Sequence, residues 1–168
     1  MIELWDILDE NRRLTGRTHK RGKPLPDGDF HLVVRAWIAN KKGEFLIARR
    51  CLSKQGWSGM WEIPSGSVTT SEKSLDAIIR ETREETGIIL FPENAELLSS
   101  YRLDQFKSFY DNWLFRQEFD LTDVVLQEGE TIDARAATWS EINSMMKRDE
   151  FIERDVFIEF DLLKNIKF

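Results

Sequence analysis

One stretch constrains this chain more than any other, residues 66–88, which read GSVTTSEKSLDAIIRETREETGI. A helix turns by about 100° per residue, so this stretch places Glu81, Glu84 and Glu85 on one face, beside an apolar stripe. Like charges four residues apart, such as Glu81 and Glu85, destabilise an isolated helix. A helix selected only for stability would not carry this arrangement. A bound divalent cation would make the closeness of these carboxylates favourable instead of unfavourable.

The whole sequence limits the class of protein. A length of 168 residues suits one domain with a substantial core, in which we expect residues 1–30 to form an N-terminal hairpin and loop. The net charge of −6 argues against nucleic acid and membrane surfaces as partners. The single cysteine, Cys51, excludes an intrachain disulfide, and we find neither a signal-peptide pattern nor a long apolar run. The sequence therefore predicts a cytoplasmic protein.

Hydrophobic patterning predicts an α+β fold in which strands flank a central helix. Strands are expected at residues 2–8, 14–19, 31–40, 44–50, 61–66, 96–106, 112–121 and 134–140, with a hairpin connection at 107–111. The central helix is expected to begin at a cap formed by Thr70 or Ser71 and to end at Gly87. Ser140 is expected to cap a second helix, and residues 151–166 to form an amphipathic closing helix. This order indicates helices packed against a mixed sheet.

The central stretch resembles the Nudix box, written G-x5-E-x7-R-E-U-x-E-E-x-G-U, in which U is apolar. The matching positions are Gly66, Glu72, Arg80, Glu81, Glu84, Glu85, Gly87 and Ile88. Only Thr82, at the first U, departs from the pattern. The resemblance implies a single Nudix domain over residues 1–168, with the family's α/β/α sandwich around a mixed sheet. It also implies hydrolysis of a nucleoside diphosphate linked to another moiety, with Mg²⁺ or Mn²⁺.

The resemblance implies a role for each residue of the acidic face. Glu81, Glu84 and Glu85 are expected to be catalytic residues and metal ligands, and the Gly66 carbonyl is a candidate further ligand. One of the glutamates could instead act as the general base, and the sequence does not distinguish between them. A magnesium ion held there would neutralise phosphate charge and make a bound water more acidic.

Other motif residues are expected to have structural roles. Glu72 and Arg80 should form a salt bridge that holds the loop to the helix. Gly66 and Gly87 should adopt backbone conformations that are unfavourable to other residues.

The N-terminal half carries a second resemblance, to isopentenyl-diphosphate isomerases, which share the Nudix fold. The similarity covers about residues 2–88. It implies that Lys20, Arg50 and Lys54 bind substrate phosphate and that His31 is a metal-ligand candidate. The alternative for these residues is ordinary solvated charge and a structural histidine.

The reactive groups of those isomerases are absent at the matching positions. The required cysteine is missing between Trp61 and Gly66, and Cys51 lies too early in the chain. A second metal histidine would fall near Pro24, and the catalytic glutamate near Asp111, the one acidic residue there. The leading hypothesis is therefore a diphosphate hydrolase, and the alternatives are an isomerase-like enzyme or a catalytically silent diphosphate-binding domain.

Several further side chains have both a functional and a structural interpretation. Trp57 and Trp61 could stack on a base, or they could belong to the core or its rim. Glu118, Glu128 and Glu130 follow the box, and one of them could supply a further catalytic carboxylate. We expect a small-molecule diphosphate as the substrate, and a homodimer is an open alternative to a monomer.

Overall fold

The computed structural model describes residues 3–152 and Leu163. The strands are β1 (Leu4–Leu8), β2 (Leu14–Lys20), β3 (His31–Ala39), β4 (Glu44–Arg50), β5 (Trp61–Glu62), β6 (Ser65–Ser67), β7 (Ala95–Leu103), β8 (Ser108–Arg116) and β9 (Thr131–Thr138). The helices are α1 (Ser74–Thr86) and α2 (Trp139–Met146). Apart from its first two residues and Leu163, the expected closing helix at 151–166 lies outside the described residues.

The strands β3 to β9 form a mixed sheet whose centre is β3. This strand pairs in parallel with β8 along its whole length and antiparallel with β6 near its start. The order across the sheet is β5-β4-β3-β8-β7, with β6 against β3 and β9 against β4. The strands β1 and β2 form a separate two-stranded hairpin. None of the helices in the described part of the chain is long and apolar enough to cross a membrane.

Each face of the central sheet is covered by a helix. Val34 and Ala36 of β3 pack in one cluster with Ile78 of α1, whereas Trp37 of the same strand packs in a second cluster with Ile142 of α2. Alternation along the strand sends successive side chains to opposite faces, so a strand covered on both faces is apolar throughout. The predicted α+β fold, a mixed sheet sandwiched between helices, is confirmed.

The start of α1 differs from the prediction. Its N-cap is Lys73, and neither Thr70 nor Ser71 caps it. Ser71 adopts a left-handed backbone conformation, with φ of 64°, and donates its backbone N–H to Asp6 of the hairpin at 2.8 Å. Thr70 donates its backbone N–H to a carbonyl of β1. The loop before α1 therefore bonds to the hairpin instead of capping the helix.

Two other boundaries were also placed wrongly. The cap of α2 is Thr138, which forms a reciprocal capping box with Glu141, and it is not Ser140. The strand β8 begins at Ser108, earlier than expected, because Lys107 adopts a left-handed conformation with φ of 48° after a short 3-10 turn. The connection between β7 and β8 therefore lies at residues 104–107, and the prediction of a connection at 107–111 is wrong.

The N-terminal hairpin packs against the central sheet. Leu8 forms an isolated bridge with Phe30, and both contact Phe109 of β8 in a small apolar cluster. The Trp5 ring stacks on His31, with ring centroids 4.1 Å apart and the planes inclined by 9°. These contacts fix the hairpin beside the start of β3, next to the Nudix-box loop.

Candidate active site

The acidic face of α1 opens onto a cavity of about 290 Å³, here called the acidic cavity. Its charged lining consists of the carboxylates Glu3, Glu81, Glu84, Glu85 and Glu130 and the basic side chains Arg21, Arg50, Lys54 and Arg80. A larger groove of about 670 Å³ runs along α1, but neither Gly66 nor Glu85 lines it. The acidic cavity is therefore the candidate active site.

Glu85 carries the least compensated charge of the three predicted metal ligands. The residue as a whole is partly exposed to the cavity, whereas its carboxylate is surrounded by protein. Among the described residues, its one hydrogen-bond donor is the backbone N–H of Ser65, at 3.3 Å. Burial, together with the charges of Glu62 and Glu81, raises the pKa of Glu85 well above its ordinary value. Among the described residues, no basic side chain forms an ion pair with Glu85, so a bound cation would stabilise its ionised form.

Glu81 lies directly against Gly66. A Cβ atom at position 66 would lie 2.0 Å from Glu81 Cδ, so any side chain there would overlap the carboxylate. Gly66 does not have the positive φ that favours glycine, so the predicted unusual conformation is wrong for this residue. Glycine at position 66 leaves room for Glu81, because a side chain there would displace the Glu81 carboxylate from its present position. The prediction is confirmed for Gly87, whose φ of 77° ends α1.

Arg80 holds two of the predicted metal ligands as well as its expected partner. Its Nε and Nη2 donate to the two oxygens of Glu72 at 2.8 and 2.9 Å, so the expected ion pair is present. Its Nη1 donates to Glu81 at 2.8 Å and to Glu84 at 3.2 Å. Within the described residues, no three acidic, histidine or cysteine side chains lie in an arrangement that could already hold a metal ion.

Two of the three predicted phosphate-binding residues line the acidic cavity. Arg50 donates to Glu62 at 2.7 Å, and its Nε is buried with no hydrogen-bond partner in the described part of the chain. Lys54 forms an ion pair with Glu130. Both side chains therefore place positive charge at the acidic cavity, which suits an anionic ligand.

The third predicted residue, Lys20, is exposed and does not line the acidic cavity. A second cavity lies beside the acidic one, and Lys20 does not line that cavity either. Its neighbour Arg21 lines both, and forms an ion pair of 2.7 Å with Glu3. The sequence analysis missed Arg21 and Glu3. The hairpin register, in which Leu4 lies opposite Lys20, indicates that Glu3 pairs with Arg21, but it does not indicate that the pair lines the cavity.

A second cavity of about 260 Å³, here called the aromatic cavity, shares Arg21, Arg50, Ser65 and Gly66 with the first. Its other lining side chains include His31, Trp57, Phe106, Ser108 and Tyr110. Trp57 and Phe106 contact each other with ring centroids 6.1 Å apart. Among the described residues, no carboxylate lines the aromatic cavity. Its chemistry therefore suits the flat or apolar part of a substrate.

His31 belongs to the aromatic cavity and does not line the acidic cavity. Its Nδ1 lies 3.3 Å from the Lys107 carbonyl and 3.2 Å from the Ser108 hydroxyl, and Trp5 covers its ring. Burial lowers the pKa of His31 to about 4, so the imidazole is neutral near neutral pH. The structure therefore does not bring His31 together with the three glutamates.

Of the five remaining candidates, two line one of the two cavities described above and three line neither. Glu130 lines the acidic cavity, whereas Glu118 accepts the backbone N–H of Lys41 at 2.8 Å and Glu128 lines neither cavity. Trp61 packs against the cluster around α2, with the Arg135 guanidinium 5.3 Å from its ring centroid. Trp57 is therefore the tryptophan that reaches the site, at the aromatic cavity.

The groups that an isomerase would use are not brought to these cavities. Cys51 lines neither cavity and contacts Ser53. Asp111 is buried against the start of α1, where its carboxylate bonds to Arg12, at 2.6 and 2.7 Å, and to Ser74. Asp111 is fully engaged there, away from the cavity lined by the neighbouring β8 residue Tyr110.

The donor chemistry of the acidic cavity fits a hard divalent cation. Glu81, Glu84 and Glu85 supply carboxylate oxygens, and Gly66 supplies a carbonyl. Magnesium and manganese bind such oxygens, and a bound cation would stabilise the ionised form of Glu85, whose pKa burial raises. The residues present therefore fit the ion that the box implies.

The match to known families agrees with this geometry. Residues 29–160 match the NUDIX domain family model. A Nudix hydrolase from Listeria monocytogenes is 38% identical over 165 residues, which is 98% of this chain and 96% of the relative. An isopentenyl-diphosphate Delta-isomerase from Shigella flexneri is 38% identical over 79 residues, or 46% of this chain and 43% of the isomerase.

Solved structures show the same fold. The DR0079 protein of Deinococcus radiodurans superimposes with a TM-score of 0.75 at 20% identity, covering 96% of this chain and 98% of that one. A MutT protein of Methanosarcina mazei superimposes with a TM-score of 0.64 at 28% identity, covering 82% and 96%. The fold and the acidic helix thus define a Nudix domain.

The chain therefore belongs to the Nudix family and is a Nudix pyrophosphohydrolase. Its N-terminal half is also partly similar to isopentenyl-diphosphate isomerase.

Proposed function

We propose that this protein hydrolyses the diphosphate bond of a nucleoside diphosphate linked to another moiety, with Mg²⁺ as its cofactor and Mn²⁺ as a substitute. The observation that carries the proposal is the uncompensated carboxylate of Glu85, beside Glu81, in a cavity that also holds Arg50 and Lys54. Carboxylates suit the cation, and the basic side chains suit the phosphates of the same substrate.

Each residue has a distinct part in this proposal. Glu81, Glu84, Glu85 and the Gly66 carbonyl would hold the ion, which supplies charge neutralisation at the phosphates and a more acidic water when bound. One of the three glutamates accepts the proton of the attacking water. The Arg50 guanidinium, which lines the acidic cavity, donates to a phosphate oxygen that is not attacked.

The second cavity supports a role for the remainder of the substrate. Arg50 and Gly66 line both cavities, so a diphosphate held between them would direct its attached group into the aromatic cavity. Trp57 and Phe106 there carry partly exposed rings, which favour a flat or apolar moiety, and the two arginines disfavour a cationic one. The substrate we propose is thus a small molecule with an aromatic or apolar group.

The test is a turnover screen of the full chain with Mg²⁺ or Mn²⁺ against nucleotide sugars, dinucleotides, oxidised nucleotides and isopentenyl diphosphate. Phosphate, monophosphate and isomerised product are measured, with and without chelator. We expect metal-dependent hydrolysis, which Glu84→Gln lowers about 100-fold. Asp76→Asn is the matched control, because Asp76 is an exposed carboxylate of the same helix outside the acidic cavity.

Hydrolysis that persisted without metal, or that Glu84→Gln left unchanged, would contradict the proposal. Isomerisation without hydrolysis would favour the isomerase hypothesis instead. Binding of diphosphates with no turnover would favour a silent domain.

We also propose that residues 1–168 form one domain, in which the hairpin within residues 1–30 belongs to the Nudix body. The backbone bonds from Thr70 to Leu4 and from Leu8 to Phe30, and the bond from Ser71 to the Asp6 side chain, support this. A cytoplasmic location remains a prediction, which fractionation would test, and a homodimer remains an open alternative to a monomer, which solution scattering would decide.

A further inference from the structure

The N-terminal hairpin contributes two charged side chains to the acidic cavity. Arg21 directly follows β2, and Glu3 directly precedes β1. Both residues lie outside residues 29–160, the part of the chain that matches the Nudix family model. This part of the cavity is therefore formed by residues outside the Nudix box.

Arg21 is held in place by neighbouring contacts. Its backbone N–H donates to the Glu3 carbonyl at 3.1 Å, and its Nη1 donates to the Glu3 carboxylate at 2.7 Å. The other oxygen of that carboxylate accepts the indole N–H of Trp5 at 3.0 Å. Trp5 is buried and stacks on His31, so Glu3 is a fixed anchor for the guanidinium.

Arg21 is also accessible at the point where a substrate would lie. About half of its side chain is exposed, at 55%, while it lines the acidic and the aromatic cavity together. Among the residues that the structure describes, Arg50 is the one other basic side chain that the two cavities share. A diphosphate that spans the two cavities would therefore meet a guanidinium from the hairpin as well as one from β4.

We propose that Arg21 is a substrate-binding residue that donates hydrogen bonds to the diphosphate, and that Glu3 is a positioning residue that directs it. A guanidinium provides a planar pair of N–H donors that matches two phosphoryl oxygens, and charge-assisted bonds of this kind are strong. This inference rests on the proposed function for the nature of the ligand. It gives the hairpin a part in substrate binding in addition to covering the core.

The test measures binding of methylenediphosphonate, a diphosphate analogue with a carbon bridge, to the full chain by calorimetry in magnesium chloride. We expect Arg21→Ala to raise Kd about 10-fold, and Arg21→Lys to raise it less. Arg13→Ala removes an exposed arginine of the same hairpin and serves as the charge control. Lys20→Ala removes the adjacent cation, which lies outside both cavities, and we expect a smaller effect than for Arg21→Ala.

Glu3→Ala should weaken binding less than Arg21→Ala does. If Glu3 acts through Arg21, its effect disappears in the Arg21→Ala background. Persistence of the Glu3→Ala effect there would overturn the positioning role. Circular dichroism confirms that each variant is folded, and titration with Mg²⁺ alone confirms that Arg21→Ala has not altered the metal site.

Three results would overturn the proposal for Arg21. They are an unchanged Kd for Arg21→Ala, an equal or larger loss for Lys20→Ala, and no binding of the analogue by the parent protein. Failure of the proposed function gives a different result, since analogue binding would then depend on Arg21 while no member of the substrate panel is hydrolysed.

Discussion

Asp111 and Glu85 are two enclosed carboxylates near opposite ends of α1, and their surroundings differ in almost every respect. Asp111 accepts hydrogen bonds from Arg12, Ser74 and Ser100, and these bonds lower its pKa despite its burial. Glu85 accepts one long bond from a backbone N–H and faces other glutamates, and its pKa is raised. Asp111 thus finds its hydrogen-bond partners within the chain, whereas Glu85 would be stabilised in its ionised form by a bound cation.

The difference indicates how to interpret a buried charge in this molecule. A carboxylate whose partners all come from the chain contributes to stability, because breaking the pair leaves an uncompensated charge. A carboxylate without such partners destabilises the free protein and gains from a ligand that supplies positive charge. Asp111 is thus assigned to the fold and Glu85 to the site.

The largest expected effect is that of Glu85→Gln on activity. Removing this charge should lower kcat about 100- to 1,000-fold, since the amide no longer balances a divalent cation. The free energy of unfolding without metal should not fall, because the substitution also removes repulsion from Glu62 and Glu81. Kinetics and urea unfolding measure the two quantities. A large loss of stability with full activity would reverse the assignment.

Asp111→Asn should have the opposite profile. We expect the free energy of unfolding to fall by about 3 kcal/mol, because Arg12 loses its charged partner. The kcat of the folded protein should stay close to that of the parent. Arg12→Met should cost little further in this background, since the partner is already gone. Additive losses would show that the two side chains do not act as a pair.

The pH dependence of unfolding should also separate the two carboxylates. The pKa of Asp111 is lower in the folded state, so its contribution is complete above about pH 4 and is lost as the pH falls through the folded value. The pKa of Glu85 is raised, so its contribution is complete below about pH 4 and is lost as the pH rises through the folded value.

Urea unfolding between about pH 3 and pH 8 measures these slopes. Asp111→Asn should flatten the loss of stability toward acid, and Glu85→Gln should flatten the loss toward neutral pH. The exposed Asp76→Asn variant serves as the control. If both variants flattened the same limb, the opposite pKa shifts would be wrong.

The smallest expected effect tests whether every unsatisfied group marks a site. The Thr82 hydroxyl is buried and has no hydrogen-bond partner within the described residues. Thr82 lies on α1 and lines neither the acidic nor the aromatic cavity. Thr82→Val should raise the free energy of unfolding by about 1 kcal/mol and leave kcat unchanged. A loss of activity would mean that this hydroxyl takes part in the reaction.

The sequence by itself determined the elements whose signals are local. The spacing from Gly66 to Ile88 predicted the acidic helix, its end at Gly87 and the pair formed by Glu72 and Arg80. Alternating apolar residues predicted nearly all of the strands, because each strand's pattern depends on its own residues. Boundaries failed where a distant partner intervened, as at Ser71, whose backbone N–H bonds to Asp6 instead of serving a helix cap.

Only the tertiary structure decided how the charges are shared. A pKa shift or an ion pair depends on distances between residues far apart in the chain, and no periodic pattern encodes those distances. The sequence therefore could not show that Arg80 bonds to Glu81 and Glu84 or that a side chain at position 66 would displace Glu81. It also could not show that Arg21, and not Lys20, lines the cavity, since that depends on how the hairpin docks beside the Nudix box.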